Sequence, residues 1–241
     1  MKSTLALLAL TLTAGAALAD EAPAAPADPL SFNVSVTSDY RYRGISQTRL
    51  KPALQGGADY AFDSGFYVGT WLSTIKWIKD AGGSGGVEWD IYGGYKTEVA
   101  KGLTLDVGVL QYAYPSNDLN PSANTFEVYG ALSFGPVTAK YSHSLTNLFG
   151  FADSKNSGYL DVSAALDVGG GFTLTPHVGH QTVKHNSPFS YTDYSLTLNK
   201  DFAGFTFGAA VVGTDANKAY VGPGNKDLGK TSLVVSVKKT F

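Results

Sequence analysis

The chemistry this sequence offers lies in charged side chains at alternate positions. Asp39, Arg41, Arg43, Asp59, Glu88, Asp90, Lys96, Asp106, Glu127, Lys140 and Asp161 sit between apolar or small neighbours, within runs where every second residue is apolar. Successive side chains on a strand point to opposite faces, so these groups share the face away from the apolar one. Carboxylates and bases lining a water-filled passage set its ion preference. In a narrow passage the same charges pair into a network that fills it. The same parity adds Asp167, Asp193 and Lys238, making nine acids against five bases and an interior that leans negative. Arg41 and Arg43 are the candidates for a constriction, with pairing to Asp39 or Asp59 as the alternative.

Other constellations are weaker. His177 and His180 have opposite parity, His185 follows in a loop, and no carboxylate completes a metal-ligand spacing. Ser142, His143 and Ser144 are neighbours, but adjacent strand residues point apart, out of nucleophile–base reach. No catalytic residue, metal site or cofactor is expected, and no enzymatic activity.

The elements that must carry the charges are long strands. In residues 31–43, SFNVSVTSDYRYR, Phe32, Val34, Val36, Tyr40 and Tyr42 share one face, while Asn33, Ser35, Thr37, Asp39, Arg41 and Arg43 share the other. Thirteen residues exceed the roughly five or six of a common strand and suit a tilted membrane-crossing one of about ten, apolar outward and polar inward. Further runs cover 54–62, 66–75, 87–97, 103–114, 126–134, 137–146, 159–167, 172–183, 191–200, 204–213 and 230–241. Pro176 predicts a kink in the ninth, because proline cannot donate to a ladder. Inward Gly57, Gly94, Gly108 and Gly179 leave room in the interior, and inward Tyr92, Tyr112 and Tyr129 take it away. Tight turns near Gly65, Lys101, Pro136, Gly170 and Ala203 alternate with longer segments from Gly44, Lys79, Pro115, Asn147, Lys184 and Asp215. Short periplasmic turns and long outer loops mark bacterial outer-membrane barrels. The expected fold is therefore all-β: one transmembrane antiparallel β-barrel of about 12 strands, with both termini periplasmic.

Outward aromatics near strand ends fit interfacial girdles: Tyr40, Tyr42, Tyr60, Phe62, Phe66, Trp89, Tyr95, Phe126, Phe134, Phe172, Phe205 and Phe241. The terminal run Leu233, Val235, Val237 and Phe241 looks like the signal read by the bacterial barrel-assembly machinery, with Lys239 departing onto the lipid face. Lys2, an apolar stretch and Ala17-Leu18-Ala19 make residues 1–19 a signal peptide, cleaved after Ala19. Residues 20–30 form an Ala/Pro-rich disordered leader, and 31–241 the barrel. Charged residues are 16% of the chain, well below the roughly 25% of soluble domains, and the formal charge of −2 gives nucleic acid no foothold. With no Cys there is neither disulfide nor thiol chemistry.

Phe32 to Thr48, FNVSVTSDYRYRGISQT, resembles the opening strand of the TorF-like porin family of Gram-negative bacteria. Ser38, Asp39, Tyr40, Arg43, Gly44, Ser46 and Gln47 carry that likeness. It implies a porin-like channel in the cell outer membrane, passing small hydrophilic solutes or ions through a narrow charged lumen. The expected partners are outer-membrane lipid, lipopolysaccharide and the barrel-assembly machinery. The competing expectation is a structural or adhesive barrel with an occluded lumen and no transport.

Overall fold

Alternating β-branched and aromatic residues favour a pleated surface with one apolar face, and Gly, Pro, Asn and Asp mark the ends of such runs. The computed structural model describes residues 28–216 and 219–241. Residues 1–27, on which the expected signal peptide and most of the expected leader fall, lie outside the described residues. Strands one to six are Leu30–Thr37, Ala53–Ala61, Phe66–Thr74, Val87–Ala100, Leu103–Ala113 and Thr125–Phe134. Seven to twelve are Val137–Ser144, Gly158–Ala164 with its continuation Leu166–Asp167, Phe172–Thr182, Tyr191–Phe202, Phe205–Thr214 and Ser232–Thr240.

Each strand pairs antiparallel with its sequence neighbours. The first also pairs with the last, Asn33 to Thr37 against Thr240 to Ser236, so the sheet closes into a twelve-stranded barrel. Closure removes the unpaired edges that an open sheet would present. The tight turns gather at one end with both ends of the barrel segment, and the longer loops gather at the other. Gly65 shows how the turns are made: its φ of +92° suits a residue without a Cβ, and its N–H donates to the Phe62 carbonyl.

Outward positions are apolar and exposed, including Phe32, Val34, Val36, Leu54, Val68, Leu72, Val109, Leu132, Leu196 and Val235. Aromatics crowd the turn end, with Tyr60, Phe62, Phe66, Phe134, Phe172, Phe202, Phe205 and Phe241 all exposed there. Trp89, Tyr141 and Tyr194 form a sparser set nearer the loops. Lys239 faces outward, its ammonium over the rings of Phe205 and Phe241. Pro176 pairs in register with Leu196 on the tenth strand. The eighth strand is interrupted at Ala165, and on that side the ladder passes from Ser163–His177 to Leu166–Leu174. The break falls beside the residue that has no N–H to give.

Three expectations change here. The first strand leaves the sheet at Thr37, and the alternation continues in a separate inward-folded ribbon, Arg41–Tyr42 against Ile45–Ser46. Tyr40 and Tyr42 therefore pack inside with Trp71, Tyr112 and Phe149, and they are no part of a girdle. Asp167 does not line the lumen: it ends the eighth strand at the rim opposite Thr173, exposed and accepting the Gly169 N–H of the turn that follows. The segment after the third strand is not wholly irregular: Trp77–Asp80 is a one-turn helix that buries its own Ile78.

Candidate functional site

The barrel interior has two unlike halves. On the loop side it is filled by residues 38–48, which fold in through a turn at Arg43 (φ +45°) and Gly44 (φ +79°). A Cβ on Gly44 would lie 2.7 Å from that of Asp193, so only glycine brings the ribbon this close to the wall. Asp39 accepts from Ser46 Oγ at 2.6 Å, Thr48 Oγ1 at 3.1 Å and Arg41 Nε at 2.5 Å. Arg41 also donates from Nη1 to the carbonyls of Gly44, Leu228 and Lys230, which ties the first loop to the last. Its side chain has no exposed surface.

Arg43 crosses the interior. Nη2 donates to both carboxylate oxygens of Glu127, at 3.0 and 2.8 Å, and Nη1 donates to Gln181 Oε1 at 2.6 Å. The guanidinium lies 4.8 Å from the Tyr42 ring centre and 4.3 Å from that of Tyr159. Burial alone would make it less basic; Glu127 outweighs burial and leaves it more basic than a free arginine, so it stays charged. Tyr40 donates to Glu88 at 2.5 Å, and Asp90 lies buried beside it with one oxygen unpartnered. Loops above complete a cap in which Trp77, Tyr114, Phe149 and Leu119 pack together.

The turn-side half differs. Asp59, Tyr67, Lys96, Lys140 and Asp161 face inward but are only half-buried, so water reaches them. One ladder row runs Lys96, Asp106, Ala131, Lys140, Asp161, Gly179, Asp193 across seven strands, alternating base and acid over its first five places except at Ala131. His177 Nε2 lies 2.8 Å from Asp161 and Nδ1 lies 3.7 Å from Asp193. Tyr159 donates to Asp193 at 2.9 Å.

The interior tyrosines are placed by glycines. Tyr67 stands opposite Gly94, Tyr92 opposite Gly69, and Tyr129 opposite Gly108. A Cβ on Gly108 would come within 2.5 Å of the Tyr129 hydroxyl, and one on Gly94 within 2.5 Å of the Tyr67 hydroxyl. Each ring thus lies along the wall, in space its glycine partner leaves open. Tyr92 donates to Asp59 at 2.5 Å and Tyr67 donates to Asp106 at 2.6 Å, while Tyr67 and Tyr129 hydroxyls also bond to each other. Room left by glycine and room taken by tyrosine are therefore one feature.

Eight of the eleven charged positions singled out by parity face inward from the barrel wall, and Asp39, Arg41 and Arg43 lie inside it on the separate ribbon. The structure splits them: Asp39, Arg41, Arg43, Glu88, Asp90 and Glu127 lie in the packed loop-side half, and Asp59, Lys96, Asp106, Lys140 and Asp161 lie in the turn-side half. Alternation alone missed the tyrosine hydroxyls and Gln181 as partners for these charges. His143 faces outward toward Asn156, away from Ser142 and Ser144, which are buried on the inner face. Phe241 closes the seam, its N–H donating to the Phe32 carbonyl at 2.8 Å.

A family model, Gcw_chp, described as a bacterial protein of unknown function, matches residues 21–241. Comparison with curated protein sequences gives no match. Among solved structures, the KdgM porin is similar with a TM-score of 0.57 and 8% identity, over 88% of this chain and 98% of that one. "KdgM porin in complex with disordered oligogalacturonate" gives 0.56 at 8% identity, with the same coverage of both chains. The NanC porin gives 0.55 at 10% identity, again over 88% and 98%. At such identities the likeness is one of fold.

Proposed function

The chain belongs to the Gcw_chp family of bacterial proteins, and from that premise we propose that it is a porin-like barrel of the cell outer membrane. In this reading small hydrophilic solutes or ions pass through a narrow charged lumen once the first loop is displaced. The observation that carries it is a closed twelve-stranded barrel, apolar outside and charged inside, whose fold is shared with proteins described as porins. An apolar outer wall needs lipid, and a charged inner wall needs water or partners. The turns and both ends of the barrel face the periplasm, and the loops face outward among lipopolysaccharide. Phe241 serves the assembly machinery, and the opening motif resembles that of the TorF-like porin family, which supports the porin reading. Asp39, Arg41, Arg43, Asp59, Glu88, Asp90, Lys96, Asp106, Glu127, Lys140 and Asp161 line the path, the first three and Glu127 forming its closed gate. No catalytic role is assigned.

One observation favours a second reading. The loop-side half is packed, with Arg41 fully withdrawn from water, which suits a structural barrel that never conducts. Planar-bilayer recording of the refolded mature chain separates the two. Discrete conductance steps support the channel. A protein that shows heat-modifiable gel migration, and so is folded, yet never conducts establishes the occluded barrel.

A further inference from the structure

We infer that the outer wall carries, at its loop-side rim on strands two to four, a docking site for the phosphorylated lipid anchor of lipopolysaccharide. The inference rests on the reading that the loops face outward, and it names where on the wall that lipid sits. Three lysines stand at this rim. Lys76 follows Leu72 and Thr74 on the exposed parity of the third strand, and Lys51 stands just ahead of the second strand beside it. Lys79 lies three residues further on, across the one-turn helix, with its Nζ 3.7 Å from where a Cβ on Gly86 would stand, just ahead of the fourth strand. All three are exposed, and none forms an ion pair among the described residues. Of the acids nearby, Asp80 is held by Arg49, whose Nε donates to its Oδ2 at 2.8 Å, and Asp118 on the next loop pairs with none of the lysines. The rim therefore presents uncompensated positive charge that a partner can reach.

The wall below the lysines is shaped for a hydrocarbon tail. One ladder row runs Val34, Gly56, Leu72, Trp89 across four strands, and its three side chains are exposed. The atoms nearest to where a Cβ on Gly56 would stand are backbone, the Asn33 carbonyl oxygen at 3.1 Å and Val34 Cα at 4.0 Å. A shallow channel floored by Gly56 thus lies between Val34 and Leu72, and Ala58 continues it between Phe32 and Thr70. The Trp89 indole N–H donates to Thr70 Oγ1 at 2.7 Å, which fixes the ring at one side of the site. An apolar wall takes acyl chains along its whole circumference; three ammonium groups above one channel select a lipid that carries phosphate. At the turn end Lys101 and Lys200 are interspersed with Glu98 and Asp201, so no such bias of charge builds up there.

The test titrates the refolded mature chain in detergent with diphosphoryl lipid A and, separately, with the same lipid stripped of both phosphates, bound lipid being counted by native mass spectrometry. Tighter binding of the phosphorylated form is expected. Lys51→Ala, Lys76→Ala and Lys79→Ala combined should weaken that form about a hundredfold and leave the stripped form unchanged. Arginine at the same three positions should keep the preference. Ala58→Leu fills the channel and should weaken both forms by the same factor. Lys101→Ala with Lys200→Ala, at the other end of the barrel, should change neither. Heat-modifiable migration checks that each variant is folded. Equal binding of the two lipids, a triple alanine variant that binds like the parent, or an equal loss from the turn-end pair would overturn the inference. A folded barrel that conducts but shows no preference for phosphate sinks this site and leaves the porin reading; a chain that stays monodisperse without detergent and takes up neither lipid sinks both.

Discussion

Replacing Arg43 by Ala should release the plug. The Arg43–Glu127 pair is withdrawn from water, with side chains 6% and 3% exposed. Removing one partner of a buried pair costs about 3–5 kcal/mol, because the other is left as an uncompensated charge. Here Glu127 loses both of its guanidinium bonds and Gln181 loses its donor. None of the barrel ladders uses Arg43, so the loss falls on docking of residues 38–48 and not on the wall. At about 1.4 kcal/mol per tenfold, a loss of about 3 kcal/mol shifts the ratio of docked to undocked loop roughly a hundredfold. Bilayer recordings should show this as a rise of that order in open-to-closed dwell ratio. The partner substitution is the sharper half of the experiment. Glu127→Gln alone should also loosen the plug, but added to Arg43→Ala it removes the stranded charge and should restore much of the docking. An Arg43→Ala protein that gates like the parent, or a double variant worse than either single one, would refute the account of the gate.

Three further outcomes follow from the same geometry. Deleting Phe241 should lower outer-membrane levels in cells while leaving detergent refolding largely intact; equal levels on a membrane-fraction blot would remove its role as an assembly signal. Gly108→Ala should destabilise the barrel by about 1–3 kcal/mol in urea unfolding, since the new methyl would stand 2.6 Å from the Gly93 carbonyl as well as against Tyr129; an unchanged midpoint would show that the ring is free to move. The opened pore should prefer cations weakly, because Asp39, Asp59, Glu88, Asp90, Asp106, Glu127, Asp161 and Asp193 face inward against Arg41, Arg43, Lys96, Lys140 and Lys238. The preference should fade as salt shortens the screening length to roughly 10 Å at 0.1 M and below that at higher salt, and a reversal potential of the opposite sign at low salt would contradict it.

Much of this architecture was legible in the sequence because alternation with period two fixes which face a residue takes. Phe32, Val34 and Val36 against Asn33, Ser35 and Thr37 needed nothing more. Alternation does not say which sheet a residue belongs to. Tyr40 and Tyr42 keep the rhythm of the first strand only because the Arg41–Tyr42 ribbon is itself β structure, paired with Ile45–Ser46 and not with the wall. The clue was Gly44, read as the end of a strand when it is the apex of an inward hairpin. The tyrosine–carboxylate pairs were hidden for a different reason. Tyr67 finds Asp106, and Tyr129 finds Gly108, through cross-strand register, which depends on turn lengths and shear and not on the pattern within either strand. Asp167 keeps its inward parity across the break at Ala165, opposite Thr173, but alternation does not say how near the rim a strand position lies, and Asp167 lies at the exposed end.

The seam between the first and last strands imposes an order of events. Ser38 Oγ accepts the Val235 N–H from 197 residues away, and the cylinder has no continuous wall until such contacts form. Topologies dominated by distant partners fold slowly, since the entropy of bringing the ends together is lost before any contact repays it. During that interval the nascent sheet carries two bare borders, each able to recruit a neighbouring chain. A polypeptide built this way is exposed to its own copies until the seam closes, so the yield of refolded barrel should fall as chain concentration rises.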